Sequence, residues 1–147
     1  MGSLSALTVS PELAQSVDKQ FDGMVKPLIR FLKAWKYYCN VPISSFYLEL
    51  RVAKYASQQA IIIYSWDIRN IFKLLWDNQL AALQDPKGIS GYIAPCLSDA
   101  KKTEALSKLK TALTRADKAR DAEKEEDISE AFYYWNLIFN DHFPSYG

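Results

Sequence analysis

Between Phe21 and Cys39 apolar side chains recur at three- and four-residue steps, through Met24, Val25, Leu28, Leu32 and Trp35. That is the spacing of one helix face. Pro27 stands inside the run, and it removes the amide bond to the carbonyl four residues back, that of Gly23. The pair predicts a kink at 23–27 or two abutting helices, and Asn40-Val41-Pro42 predicts the end of the element. Upstream, Ser10-Pro11-Glu12 places a capping hydroxyl, a proline and an acid in the order that starts a helix.

The same period continues downstream. A second helix is expected from Ser44 or Ser45 to about Gln59, with Glu49 near its first turn. Ile61, Ile62 and Ile63 suit either a short strand or a buried helix junction. Ser65 is expected to cap a third helix reaching about Gln84, with Ile68, Ile71, Phe72 and Leu75 inward. Asp85-Pro86-Lys87-Gly88, Gly91 and Pro95 predict a loop of about a dozen residues. Ser98 then caps a long amphipathic outer helix with a seam of Leu106, Leu109 and Leu113, continued by Ala112, Ala116 and Ala119. Asp127 followed by Glu130 resembles a capping box, opening a last helix through Phe132, Trp135, Ile138 and Phe139. Neither an internal repeat nor a β-hairpin pattern is evident. The chain reads as all-α, a bundle of five or six helices over residues 10–147, after a stretch at 1–9 that is either a disordered start or an expression remnant.

Composition narrows the class. A chain of 147 residues, 49% apolar and 24% charged, can bury one core and is neither disordered nor low-complexity. Charges interrupt every apolar run before the roughly 18 residues of a membrane span, and the first residues do not form a secretory signal. Cys39 and Cys96 lack metal-ligand spacing and fit a reducing cytosol, so a cytoplasmic location without membrane partners is expected. A single histidine, His142, excludes a histidine-based metal cluster and disfavours a histidine-dependent triad.

A near-neutral total of +1 conceals an asymmetry. From Lys19 to Lys73 nine basic residues face three acids, whereas from Asp85 onward nine face eleven. Lys26, Arg30 and Lys33 lie at steps of four and three and share one helix face, which Lys19 extends. Like charges so placed repel by a few tenths of a kcal/mol per pair unless an anion or an acidic helix faces them. They form a phosphate rail or, equally compatible with spacing, a solvated face. Ser44-Ser45-Phe46-Tyr47 is the second constellation. A helix start offers open N–H groups to an anion, a hydroxyl there can bind phosphate, and an adjacent ring can stack on a base. The plainer alternative is an ordinary serine cap with both rings in the core.

Signs of autonomous catalysis are lacking. There is no paired-aspartate motif, glycine-rich phosphate loop or nucleophile elbow. Gly2-Ser3 has no carboxylate pair after it, and the acidic run from Glu123 to Asp127 reads as a solvated helix end.

The segment GMVKPLIRFLKAWKYYCNVPISSFYLELRVAK, residues 23–54, resembles the start of the C-terminal helical half of bacterial CD-NTases. These are relatives of cyclic GMP-AMP synthase and oligoadenylate synthetase. The likeness continues through LWDNQLAALQDPKGISGYI and the final FYYWNLIFNDHFPSYG, nearly the whole chain. It implies the helical, nucleotide-gripping half of an enzyme that makes cyclic oligonucleotide messengers in anti-phage defence. A separate N-terminal lobe, not seen in this sequence, would carry the carboxylates and two Mg²⁺ ions. No cofactor is then expected in this chain itself, which would be inert alone; the parent enzyme would use ATP- or GTP-type triphosphates with Mg²⁺. By the resemblance, Lys33 would contact the donor triphosphate, Ser45 would bind the same phosphates and Phe46 would stack on a base. Many relatives have tyrosine where this chain has Phe46, which keeps the stacking surface but loses a hydroxyl. Lys26 and Arg30 would extend the basic surface. Some relatives are joined through their last residue to targets by ubiquitin-like transfer enzymes, which makes Gly147 a candidate conjugation site. The competing expectation is a stand-alone helical protein-interaction module that keeps the fold without nucleotide chemistry.

Overall fold

The computed structural model describes residues 23–84, 88 and 91–142. Lys19, the helix start at Ser10, Asp85 to Lys87, Pro144 and Gly147 therefore lie outside the described residues. Among those described, five helices carry the fold: α1 (Val25–Tyr38), α2 (Ser45–Ala56), α3 (Tyr64–Asp77), α4 (Asp99–Lys124) and α5 (Ile128–Ile138). The only strands among them are β1 (Leu83–Gln84) and β2 (Tyr92–Ile93), an antiparallel pair with Leu83 opposite Ile93. The molecule is all-α in class, and this short ladder corrects the expectation of no hairpin. Two-residue strands are too short for alternating hydrophobicity to mark them.

Gly23 and Pro27 mark a start rather than a kink within the described residues. Gly23 adopts φ 83°, a conformation costly for residues with a Cβ, and α1 begins two residues later. Pro27 then falls in the first turn, where an amide has no intrahelical acceptor anyway. At the other end Asn40 takes φ 54°, and the Val41 N–H returns to the Lys36 carbonyl at 2.9 Å. This left-handed closure satisfies an otherwise open carbonyl.

Three expected caps are present. Ser44 Oγ accepts from Tyr47 N–H at 3.2 Å, Ser98 Oγ from Lys101 N–H at 3.2 Å, and Asp127 Oδ1 from Glu130 N–H at 3.0 Å. Helix α3 departs from expectation at both ends. Ser65 lies inside it, and the Asp67 carboxylate reaches back to accept from Ile63 N–H at 2.6 Å. The helix stops at Asp77 because Gln79 and Leu80 both take φ 54°, leaving Leu80 fully buried beneath the turn. The isoleucine triplet is neither strand nor buried junction: Ile62 is buried, while Ile61 and Ile63 face outward before α3.

Helix α1 packs on α2, and α4 packs on both α3 and α5. Buried Leu28, Leu32 and Trp35 meet the α3 face of Ile68, Ile71, Phe72 and Leu75 in one core. Trp35 and Phe72 make an edge contact at 5.1 Å, and Phe31 lies 5.7 Å from Phe139. On α4 the buried stripe consists of Leu109, Leu113 and five alanines, Ala105, Ala112, Ala116, Ala119 and Ala122. Small side chains permit close helix approach, and the charged residues of α4 lie partly or fully exposed on its other sides. Trp135 Nε1 donates to Glu123 Oε2 at 2.9 Å, fixing α5 against the end of α4.

Candidate functional site

The start of α2 is where the basic helix α1 and the hydroxyl pair come together. Ser44 is the cap and Ser45 is the first helical residue, so the adjacent serines differ in task. Four amides at a helix start lack intrahelical acceptors. Here the Ser44 N–H donates to the Pro95 carbonyl at 2.7 Å and the Tyr47 N–H to Ser44 Oγ. The N–H groups of Ser45 and Phe46 donate to nothing among the described residues. Two adjacent open donors and the Ser45 hydroxyl thus stand at the positive end of the α2 dipole.

Lys33 projects from α1 toward the second turn of α2, where its Nζ meets Glu49 Oε2 at 2.5 Å. The lysine side chain is 41% exposed and the glutamate 20%, so the ammonium borders solvent while the carboxylate is more enclosed. Lys26 and Arg30 are exposed on the same helix and each is engaged in contacts of its own. Phe46 is half-buried and packs against the core, leaving part of its surface accessible. Tyr47 is fully buried: its hydroxyl donates to the Ala81 carbonyl at 2.5 Å and accepts from Arg51 Nε at 3.1 Å. Burial pushes the Tyr47 hydroxyl above its ordinary pKa, and Arg51 partly offsets this. Of the two rings in the motif, then, Tyr47 is the core residue and Phe46 the accessible one.

A cavity of about 510 Å³ opens beside the α2 start, between it, the segment after β2 and the first turn of α4. Lys36 and Lys101 line it with Ser44 and Cys96. Sequence reasoning missed both lysines as a pair. Lys36 continues the α1 stripe by one step after Lys33, a signal that was available, but nothing local announces that Lys101, 65 positions on, closes the same cavity. Burial raises the Cys96 thiol pKa above its ordinary value, with the charge of Lys102 acting in the opposite direction.

Elsewhere three titratable groups are committed to structure. The Tyr55 hydroxyl donates to Asp67 Oδ1, and Asp67 is buried. Cys39 Sγ donates to the Ile138 carbonyl at 3.0 Å, and burial raises its pKa. No group of three or more histidine, cysteine, aspartate or glutamate side chains among the described residues is placed to hold a metal ion. No described helix is long and apolar enough to cross a membrane.

An all-α domain with a cationic helix start is the class this geometry defines. Compared with known proteins, the chain matches no family model. It is 28% identical over 143 residues to a Bacillus cereus (strain VD146) protein named "Probable cyclic nucleotide synthase", covering 94% of this chain. The chain spans 42% of the length of that relative. This supports a CD-NTase-like relationship, in keeping with the resemblance of residues 23–54.

Proposed function

We propose that this chain is the nucleotide-gripping helical part of a larger CD-NTase-like nucleotidyltransferase that makes cyclic nucleotide messengers in anti-phage defence. The observation that carries the reading is the pair of open N–H groups on Ser45 and Phe46, with Lys33 held at Glu49 in the next turn of the same helix. Its nucleotide context comes from the relative's name and from the sequence resemblance. In this reading the amides and Ser45 hydroxyl donate to oxygens of a nucleoside triphosphate. Lys33 Nζ turns from Glu49 to the same phosphates, while Lys26 and Arg30 raise the local potential that attracts them. Phe46 offers its accessible face to a base. Mg²⁺ would accompany the triphosphate and neutralise its charge; its protein ligands belong to the part of the enzyme outside this chain. Binding and orientation are the work of these helices.

Calorimetric titration of Mg²⁺-ATP and Mg²⁺-GTP tests the reading. Lys33→Ala should weaken binding about tenfold, the scale of one lost charged hydrogen bond. Ser45→Pro is a second probe because proline suits the first helical position and Ser44 already has the extended φ −68°, ψ 131° that precedes proline comfortably. It removes one open donor and the hydroxyl while keeping the fold, and should also weaken binding about tenfold. Wild-type protein that binds neither triphosphate, or variants that bind as wild type, would return the domain to the interaction-module reading.

Gly147 is proposed, in the same scheme, as the residue joined to targets by ubiquitin-like transfer enzymes. Intact-mass analysis after co-expression with those enzymes tests it: conjugates should form on the wild type and vanish when Gly147 is deleted.

A further inference from the structure

The cavity beside the α2 start combines two chemistries. Pro42, Ile43, Ala94, Pro95 and Leu97 give it an apolar wall, and Leu97 is 93% exposed although it is a large aliphatic side chain. Lys36 and Lys101 bring two positive charges to the same space from α1 and α4. Neither lysine's ammonium group forms an ion pair or hydrogen bond among the described residues. Several other lysines are occupied: Lys73 pairs with Asp77, Lys108 donates to the Cys39 and Asn40 carbonyls, and Lys110 lies over the Trp76 ring.

Charge and shape together select a ligand class. A bare inorganic anion would satisfy the lysines but leave the apolar wall hydrated. A purely apolar ligand would gain nothing from two ammonium groups that repel each other in its absence. An organic phosphate with a compact apolar body satisfies both, and about 510 Å³ lies within the roughly 300–1,000 Å³ of small-molecule sites. We propose that this cavity is a second subsite, for a nucleoside monophosphate, with the phosphate between Lys36 and Lys101 and the base against Pro42, Pro95 and Leu97. The choice of a nucleoside among organic phosphates rests on the function proposed above; the site itself uses neither Lys33 nor Ser45.

Cys96 is a built-in reporter because it lines the cavity, whereas Cys39 lines a different one beside α4 and α5. The full chain is alkylated with iodoacetamide at about pH 8 and each cysteine is followed by peptide mass analysis. The four common nucleoside monophosphates, each at a few millimolar, are the probes. At least one should slow Cys96 alkylation threefold or more without changing the Cys39 rate. Inorganic phosphate and the matching free nucleoside should each give less than half that protection. Lys36→Ala/Lys101→Ala should abolish the protection, with an unchanged Cys39 rate showing that the fold is kept. Lys33→Ala should leave it intact while weakening triphosphate binding.

No protection by any nucleotide overturns the proposal, as does protection that survives loss of both lysines. Equal protection by inorganic phosphate refutes the role of the apolar wall and overturns it too. If Lys33→Ala removes the protection, the nucleotide occupies the triphosphate site: this subsite falls and the proposed function stands. If monophosphate protection persists while the wild type binds no triphosphate, the proposed function falls and this subsite stands.

Discussion

Lys33 of α1 and Glu49 of α2 meet at 2.5 Å, one turn beyond the α2 start. The carboxylate competes for the ammonium that a phosphate would need, and it places a negative charge beside the phosphates. Glu49→Gln should therefore tighten Mg²⁺-ATP binding by about three- to tenfold at low salt, with a smaller gain at high salt. In a Lys33→Ala background most of that gain should vanish, which a double-mutant cycle by calorimetry measures.

The neighbouring serines separate in the same way. Ser44 holds the Tyr47 amide, so Ser44→Ala should cost about 1 kcal/mol of stability in urea unfolding. Ser45 caps nothing, and Ser45→Ala should change stability by less than about 0.5 kcal/mol while weakening triphosphate binding. The opposite assignment of costs would refute the division of tasks.

Phe46 packs on the core with one part and is accessible with another. Phe46→Tyr should keep nucleotide binding near wild type because the π-face remains, whereas Phe46→Ala should weaken it by about 1–3 kcal/mol. Melting temperature measured in parallel separates stacking from packing. Binding that falls only in step with stability would make the ring a core residue.

Asp67 is buried and accepts from both the Tyr55 hydroxyl and the Ile63 amide. Asp67→Ala leaves both donors without that acceptor and should cost about 2–4 kcal/mol in urea unfolding. Burial pushes the Tyr55 hydroxyl well above its ordinary value of 10.0, and the Asp67 bond pushes it further. Above pH 10 the unfolded chain loses this proton while the folded chain keeps it, so stability falls as pH rises from there toward the raised folded value. Tyr55→Phe should be less stable than wild type at pH 8 and should show a shallower decline above pH 10.

Much of the architecture was legible because it is written locally. Ser44, Ser98 and Asp127 announce helix starts by chemistry confined to three or four residues, and the apolar period from Val25 to Trp35 names the core face of α1. Features set by tertiary contact were not legible. Gln79 and Leu80 adopt left-handed backbone without glycine because burial of Leu80 accompanies the turn, so α3 ends seven residues before the expected Gln84. Asp67 lies in the first turn of α3, yet its importance comes from Tyr55 on another helix, which no local spacing announces. Lys33, Ser45 and Phe46 could be marked from spacing and resemblance; that Glu49 holds Lys33 required the packing of α1 on α2.

Helix α4 runs 26 residues with a buried stripe made largely of alanine. Alanine has no rotamers to exchange, so this seam cannot absorb displacement by repacking its methyl groups. At 1.5 Å per residue the helix is a strut about 39 Å long, with Lys101 near one end and the Glu123–Trp135 bond near the other. A tilt imposed at α5 would therefore reach the cavity mouth as rigid leverage, moving Lys101 through an arc instead of being dissipated along the way.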